Sequence, residues 1–317
     1  MGHTERQSVS SAAVFQLISW GSSSAFLGWL IAGSLRERRV TPLLAMSVGM
    51  LALSWMEAPF DWSVWCQFNP ELPRIPEWGP FGMTAGGLPT LAPFGYVMFC
   101  AIPIAIIVWL ASKLRGRLSF NYIRMLLVIG FGVGFVWDFF FEQIGNRSGW
   151  WRYARGYEGL TLFEGTPYLI TFTIPIFMGT LFALCAYLVG RIDDNGHTLL
   201  QNWAIARSPE RPGPWLILST VVLTQVIFIV LFVPNLTAKL MNIAGTKSSL
   251  PLWDGLQPQR GTEPSQFAGI GGFVLAATLL GMLAVAVVTI VRLDPLARSM
   301  PPVSQQRSTK RSLNAQG

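Results

Sequence analysis

The chain has 317 residues, of which 51% are hydrophobic and only 12% are charged. That charged share is about half of the share in an average soluble domain, which excludes an ordinary soluble globular fold. The net charge of +7 would favour nucleic acid as a partner of a soluble protein. Here the basic residues cluster in short loops beside apolar segments, so no nucleic-acid partner is predicted.

Seven apolar windows follow one another along the chain, and each is long enough to cross a bilayer as a helix. The first is followed by the basic run RERR rather than by a small-residue cleavage site, so it is predicted to be a retained span and not a signal peptide. The predicted spans are 12–33, 41–60, 93–112, 122–142, 168–190, 214–236 and 267–291. The predicted fold class is therefore all-α, a polytopic membrane protein with about seven transmembrane helices.

Three regions are predicted along the chain. Residues 1–11 form a polar, disordered N-terminal segment, residues 12–296 form the transmembrane helical domain, and residues 297–317 form a disordered basic tail.

Basic residues are concentrated in alternate connections between the predicted spans. These connections are 34–40, 113–121 and 191–213, and the C-terminal tail continues the pattern. Because cytoplasmic loops are enriched in Lys and Arg, the N-terminus is predicted outside and the C-terminus in the cytoplasm of a plasma-membrane protein. Loop 143–167 also carries Arg147, Arg152 and Arg155, which reduces the contrast between the two sides.

Histidine and cysteine are too scarce and too scattered for a metal centre or a disulfide framework. The two histidines, His3 and His197, lie in an end segment and in a loop, and the chain has three cysteines. No dinucleotide-binding, Walker or hydrolase motif is present. The sequence therefore predicts no metal site and no cofactor, and any chemistry must use carboxylates, tyrosines, arginines or amides.

The two longest connections on the predicted outer side are followed by similar segments. GYVMFCAIPI at 95–104 aligns with PYLITFTIPI at 167–176, which matches Tyr96 with Tyr168. Each long connection also follows a helix that ends in an acidic pair. We interpret helices 2–3 and helices 4–5 as a parallel repeat, and sites tend to form at the interface between such copies.

The acidic pairs are Glu57 with Asp61 at the end of the second predicted span and Asp138 with Glu142 at the end of the fourth. Residues four apart share a helix face, so each pair points one way, and all four acids are expected to meet at one depth. An ionised carboxylate costs roughly 2.5–3.5 kcal/mol at the centre of a span, and such acids usually face a bundle interior or a wet cavity. Two plainer alternatives stay open. The acids are the wet ends of their helices, or they pair with arginines of the loop after helix 4.

Six further residues are candidate substrate contacts, and five of them also have a structural alternative. Arg152 and Tyr153 hydrogen-bond a substrate oxygen or anchor their loop among headgroups. Trp151 belongs to a tryptophan cluster that forms either a cavity wall or an aromatic belt. Asn69 is otherwise a turn residue of an Asn-Pro pair, and Glu164 an acid at a helix start. The candidates are Arg152, Tyr153, Trp151, Asn69, Glu164 and Tyr168.

Four motifs carry a family resemblance. They are WCQFN (65–69) after an acidic helix end, the Pro-interrupted helix after GGLPTLAPFGY, WDFFFE in helix 4, and TPYLITF after the next loop. With the order of helices and long loops, they make the chain similar to the AveC-type spirocyclases of actinobacterial polyketide biosynthesis, from about residue 40 to about residue 240. The resemblance implies closure of a dihydroxy-ketone or hemiketal to a spiroketal, in at least one member with a dehydration.

The sequence thus predicts a cofactor-independent membrane enzyme, spirocyclase-like, that uses carboxylates as general acid and general base on a lipophilic small molecule. Asp138 or Glu142 is expected to be the acid, and Glu57 or Asp61 the base. One alternative is a non-enzymatic lipid carrier or proton-coupled transporter, in which the acids line a path through the membrane. Another is an isoprenoid cyclase or isomerase that uses the same acids. The substrate and the oligomeric state stay open.

Overall fold

The computed structural model describes residues 10–84, 86–115, 121–247 and 265–298. Within these ranges seven helices are long and apolar enough to cross a membrane. They are Ser11–Glu37, Pro42–Ser63, Ala92–Leu114, Tyr122–Ser148, Thr173–Gly190, Pro212–Leu240 and Ala268–Leu293. The predicted all-α membrane fold with seven spans is confirmed. The predicted disordered segment 1–11 and tail 297–317 lie almost entirely outside the described residues, as does Arg117 of the second basic connection.

The elements follow one another with short breaks inside two of the spans. The helices are α1 (Ser11–Glu37), α2 (Pro42–Leu53), α3 (Glu57–Ser63), α4 (Ala92–Tyr96), α5 (Ile102–Leu114), α6 (Tyr122–Ser148), α7 (Thr173–Gly190), α8 (Leu199–Arg207), α9 (Pro212–Leu240), α10 (Ala268–Leu293) and α11 (Pro295–Arg298). A 3-10 turn, Ser54–Met56, joins α2 to α3, and a π-helical turn, Val97–Ala101, joins α4 to α5. The strands are β1 (Cys66–Phe68), β2 (Trp151–Tyr153), β3 (Arg155–Gly156), β4 (Thr161–Leu162), β5 (Ile170–Thr171) and β6 (Thr246–Lys247).

Helix ends follow local capping chemistry. Ser10 and Thr41 accept hydrogen bonds from backbone N–H groups of the first turns of α1 and α2. The α6 helix continues past its predicted end at 142 and stops at Ser148, because Gly149 then adopts a left-handed conformation with φ 70°. Glu142 therefore lies inside a helix and not at its wet end.

The α7 helix is the centre of the bundle, and nearly all its residues are buried. It packs closely on α6, where a side chain at Gly130 would overlap the backbone of Ala183 and one at Gly134 would overlap Phe182. Small residues of this kind let membrane helices approach without an apolar driving force from water. This contact fixes the position of α6, and with it the position of its acids.

Short antiparallel ribbons cover the end of the bundle at which α3 and α6 finish. β1 pairs with β2, with Cys66 opposite Tyr153, Gln67 opposite Arg152 and Phe68 opposite Trp151. β3 pairs with β6 and β4 with β5. The β1–β2 ribbon joins the segments that follow the two acidic helices, so it holds their tips side by side.

Candidate functional site

The structure brings the four acids together. The α3 helix carries Glu57 and Asp61, and α6 carries Asp138 and Glu142. Glu57, Asp61 and Glu142 line one cavity of about 70 Å³. Asp138 is fully buried beside this cavity without lining it, within electrostatic range of both glutamates. We call this the acid cavity.

Glu142 is held by two donors from strand β2. The Trp151 indole N–H donates to Oε2 at 2.7 Å, and the Tyr153 hydroxyl donates to the same oxygen at 2.6 Å. Both distances are typical of hydrogen bonds to a charged acceptor. Because residues i and i+2 of a strand share a face, Trp151 and Tyr153 reach the same carboxylate.

Glu57 has a matching partner from another element. The hydroxyl of Tyr96, at the end of α4, donates to Glu57 Oε2 at 2.8 Å. Each glutamate therefore has one oxygen on a tyrosine, and within the described ranges the other oxygen accepts no hydrogen bond. The π-helical turn that follows Tyr96 marks a local departure from regular helix, which often occurs at functional sites.

The two aspartates are less well satisfied than the glutamates. Asp61 has a buried Oδ2 with no hydrogen-bond partner among the described residues, and the same is true of both carboxylate oxygens of Asp138. The Cys66 thiol hydrogen-bonds to Asp61. Burying acceptors in this way costs free energy unless water, substrate or a proton compensates.

Two groups outside the spans stay protonated at the edge of the cavity. Burial, followed by the nearby carboxylates Asp61, Glu142 and Glu57, raises the pKa of the Cys66 thiol well above its ordinary value. Burial and then Glu142 raise the pKa of the Tyr153 phenol in the same way. Tyr153 is therefore a hydrogen-bond donor throughout the ordinary pH range.

Arg152 lies on the other face of the ribbon. Alternation along β2 buries Trp151 and Tyr153 towards the acids and leaves Arg152 opposite Gln67, outside the cavity lining. The sequence expectation placed Tyr153 and Arg152 together on one substrate oxygen. The strand geometry separates them, because neighbouring residues of a strand point to opposite faces.

Asn69 performs a turn function. Its side-chain N–H donates to Gly149 O at 2.8 Å, and its side-chain oxygen accepts from the Glu71 N–H at 2.8 Å. These bonds tie the end of β1 to the end of α6. Nearby, Arg74 donates to the carbonyls of Gly87, Phe68 and Asn69 at 2.6, 2.9 and 2.8 Å, which fixes the long connection over the site.

Glu164 and Tyr168 lie at the surface, away from the acid cavity. The Arg147 guanidinium sits over the rings of Phe163 and Tyr168, at 5.2 and 5.0 Å, so it is not the partner of the acids. The predicted match of Tyr168 with Tyr96 therefore does not extend to their surroundings: Tyr96 is buried against Glu57.

An aromatic wall closes the cavity on the side of α1. Phe15 stacks on Trp150 with ring centroids 4.2 Å apart and meets Trp151 edge-on at 5.6 Å. The Trp150 indole donates to the Ser11 carbonyl at 3.0 Å. Phe15 was not predicted here, because no local pattern links the start of α1 to residues some 135 positions later.

Comparison with known families adds to this geometry. The model of the family described as "Spirocyclase AveC-like" matches residues 35–254, which is more than half of the chain. The chain belongs to the AveC-like spirocyclase family. No curated protein and no solved structure matches it.

The AveC-like segment includes both acidic helices, both strands of the β1–β2 ribbon and Tyr96. Phe15 on α1 precedes it, and α10 follows it. Family membership together with the apolar helices supports a spirocyclase-like role in a membrane for this AveC-like chain. Its described residues include no group of three or more His, Cys, Asp or Glu side chains arranged to hold a metal ion.

Proposed function

We propose that the chain catalyses acid–base cyclisation of a polyketide or related lipophilic dihydroxy-ketone to a spiroketal, with loss of water, in the acid cavity. One observation carries this proposal. Glu57 and Glu142 approach the same cavity from different helices, and each leaves an oxygen without a protein donor in the described structure. Two carboxyl groups in a water-poor pocket are sufficient for general acid and general base catalysis.

The proton balance of the reaction is simple. A carboxylic acid protonates the hemiketal hydroxyl, the C–O bond breaks, and water leaves an oxocarbenium ion. The second hydroxyl of the substrate then attacks that carbon, and a carboxylate accepts its proton. A proton passed back from the second carboxyl group to the first restores the site, so the net change is loss of one water molecule.

The hydrogen bonds favour Glu57 as the acid and Glu142 as the base. Glu142 accepts two donors on Oε2, which suits an anion, whereas Glu57 accepts only the Tyr96 hydroxyl. This assignment of acid and base is the reverse of the one expected from the sequence, because the sequence does not show which residues donate hydrogen bonds to each glutamate. Asp61 and Asp138 lie beside the two glutamates and can exchange protons with them, and Tyr153 positions the base.

The cavity must widen to admit a substrate. Its volume of about 70 Å³ is far below the roughly 300–1,000 Å³ of pockets for drug-sized ligands. Among the helices around the cavity, α1 has the smallest buried share, so the fewest contacts hold it in place. We propose that a lipophilic substrate reaches the acids from the membrane by displacing Phe15 from Trp150.

The alternatives receive less support. A transporter would need a path from the acids to the other end of the bundle. Beneath the cavity, three aromatic rings pack against one another. The ring centroids are 4.8 Å apart for Phe60 and Phe177, 5.8 Å for Phe60 and Phe228, and 5.1 Å for Phe177 and Phe228.

An isoprenoid cyclase or isomerase would use the same acids, so the identity of the product decides between it and spiroketal formation.

The proposed setting is the plasma membrane, with the N-terminus and the acid cavity outside and the C-terminus in the cytoplasm. Support comes from the basic connections, which lie at the opposite end of the helices from the cavity. A C-terminal fusion to a fluorescent protein that matures only in the cytoplasm would fluoresce, and one to a phosphatase active only outside would be silent.

Purified protein incubated with synthetic dihydroxy-ketones of different chain length, followed by mass spectrometry, tests the reaction. Glu142→Gln and Glu57→Gln are each expected to lower turnover by about 10²–10⁴-fold, the usual range for a lost acid or base. Glu164→Gln, at the surface of the same end of the protein, is the matched control and should keep full activity. Full activity of a folded Glu142→Gln protein would refute the mechanism.

A further inference from the structure

A second, larger groove lies at the opposite end of the helices from the acid cavity. Its volume is about 660 Å³, and it shares no lining residue with the cavity. It runs between the end of α1, the start of α2, the short helix α8 and the start of α9. We call it the basic groove.

The inner part of the basic groove is apolar. Ile31 and Leu35, spaced four apart on α1, face it, and 47% and 73% of these side chains are exposed. Leu44, Ile205 and Leu216 form the opposite walls. An apolar slot of this kind, open along a membrane-spanning helix, fits a hydrocarbon chain.

The rim of the basic groove is positively charged. Arg38, Arg39 and Arg211 line it, with Glu210 as the one acid among the lining residues. The Arg39 guanidinium is partly neutralised by Glu37, at 2.8 Å. Arg38 and Arg211 stand at the two sides of the mouth without an ion pair in the described structure, so the rim is complementary to an anion.

An aromatic pair marks the depth of this rim in the bilayer. Trp203 of α8 and Trp215 of α9 meet edge to face with centroids 6.1 Å apart, and the Arg207 guanidinium lies 5.1 Å from the Trp215 ring. Tryptophan and arginine gather at the level of lipid headgroups. We therefore expect the basic rim at phosphate level and the apolar slot at acyl-chain level.

We propose that the basic groove binds one anionic phospholipid as a resident ligand. Its phosphate lies between Arg38 and Arg211, and an acyl chain lies along the slot beside Leu35. Basic pockets between helices near a membrane surface are a known means of holding anionic headgroups. Bound lipid would join α1 to α8 and α9, which otherwise meet across an open groove.

Thermal unfolding of the delipidated full-length protein in a neutral detergent tests this proposal. Phosphatidylglycerol is added in one series, and phosphatidylcholine with identical chains in the other. Phosphatidylglycerol should raise the Tm and phosphatidylcholine should not. The double variant Arg38→Gln/Arg211→Gln should need at least about tenfold more lipid for the same rise, since it lacks two charged hydrogen bonds. Arg36→Gln, in the same turn of α1 but outside the groove, is the control and should respond as the wild type does.

Three outcomes would overturn the proposal. The first is an equal Tm rise with phosphatidylcholine, and the second is an unchanged response of the double variant. The third is an equal rise with glycerol 3-phosphate, which would mean that a free anion is the ligand. If the double variant does not fold, native mass spectrometry of the wild type decides. Retention of phosphatidylglycerol about tenfold above phosphatidylcholine supports the proposal, and equal retention refutes it.

Discussion

The Tyr153 hydroxyl lies 2.6 Å from Oε2 of Glu142, and it reaches that carboxylate from a strand and not from the helix that carries the acid. The strand partner of Tyr153 is Cys66, which follows the other acidic helix. The position of this one donor therefore depends on both acidic helices and on the ribbon between them.

Replacement of Tyr153 by Phe removes a donor to Glu142 and keeps the ring. We expect kcat to fall by roughly tenfold or more, since a hydrogen bond to a charged group contributes about 1.5–3 kcal/mol. KM should change little, because the ring still fills its place. Steady-state kinetics with any accepted dihydroxy-ketone measure the effect. Tyr187→Phe, far from the acids, should leave kcat unchanged; equal losses in both variants would argue against a role for Tyr153 at the site.

Gly145 of α6 allows the Trp151 indole to approach the helix. A Cβ at this position would overlap the indole ring, so Gly145→Ala should push Trp151 away from Glu142. We expect a loss of activity and a loss of about 1–3 kcal/mol in stability, as for other overpacked sites. Gly132→Ala on the same helix, where no atom lies within 4 Å of the added carbon, is the control. It should be neutral or stabilising by up to about 1 kcal/mol.

Phe15 forms the wall that a substrate is proposed to displace. Phe15→Ala should enlarge the acid cavity, accelerate turnover of bulkier substrates relative to small ones, and lower stability by about 3 kcal/mol. Competition assays with a chain-length series of substrates measure the change in preference. Phe26→Ala, also on α1 but stacked on Trp29, should lower stability without altering substrate preference. An unaltered preference in Phe15→Ala would place the access route elsewhere.

The Arg191–Asp294 ion pair joins the ends of α7 and α10. The Arg191 guanidinium donates two hydrogen bonds of 2.9 Å to the carboxylate, and Tyr187 donates a third of 3.0 Å. Burial alone would raise the pKa of Asp294, but the donors, first Arg191, then the Leu296 N–H and Tyr187, bring it below its ordinary value.

A carboxyl group whose pKa is lower in the folded than in the unfolded state stabilises the fold above the unfolded pKa, about 3.9 for Asp. The Tm of the wild type should therefore fall as the pH drops below about 4 and through the folded pKa of Asp294. Asp294→Asn should lose about 3 kcal/mol at neutral pH and show less of this acid dependence. Asp194→Asn, at an exposed site nearby, should behave as the wild type does; an Asp294→Asn curve identical to both would contradict the role of the pair.

Hydropathy predicted the seven spans, and the i, i+4 spacing predicted the shared face of each acidic pair, because both signals are local. The expectation that the two pairs meet came from the predicted topology, which puts both helix ends on the same side of the membrane. Tyr96 as the donor to Glu57 was not predicted, since that contact joins residues 39 positions apart. The position of Arg152 outside the cavity lining was not predicted for another reason. A strand of three residues is too short to show an alternation of buried and exposed side chains, so the sequence predicts an irregular loop there.

The end of α6 was placed too early because Asn146, Arg147 and Ser148 are polar and resemble a loop. The helix continues because the next position is glycine, which can reverse the chain only after Ser148. The short helix α8 and the Arg191–Asp294 pair were not foreseen either, since the pair spans 103 positions. What sequence could not supply is pairing between distant segments.

The β1–β2 ribbon also orders events during biosynthesis. Strand β1 is made long before β2, and Glu57 enters the bilayer while α6 is still unmade. A nascent chain that has inserted only α1 to α5 thus carries two of the four acids of the cavity, Glu57 and Asp61, and the strand β1 without its partner. Until the ribosome has passed Tyr153, β1 has no partner strand, so we expect a chain truncated before that residue to be less stable than the complete protein.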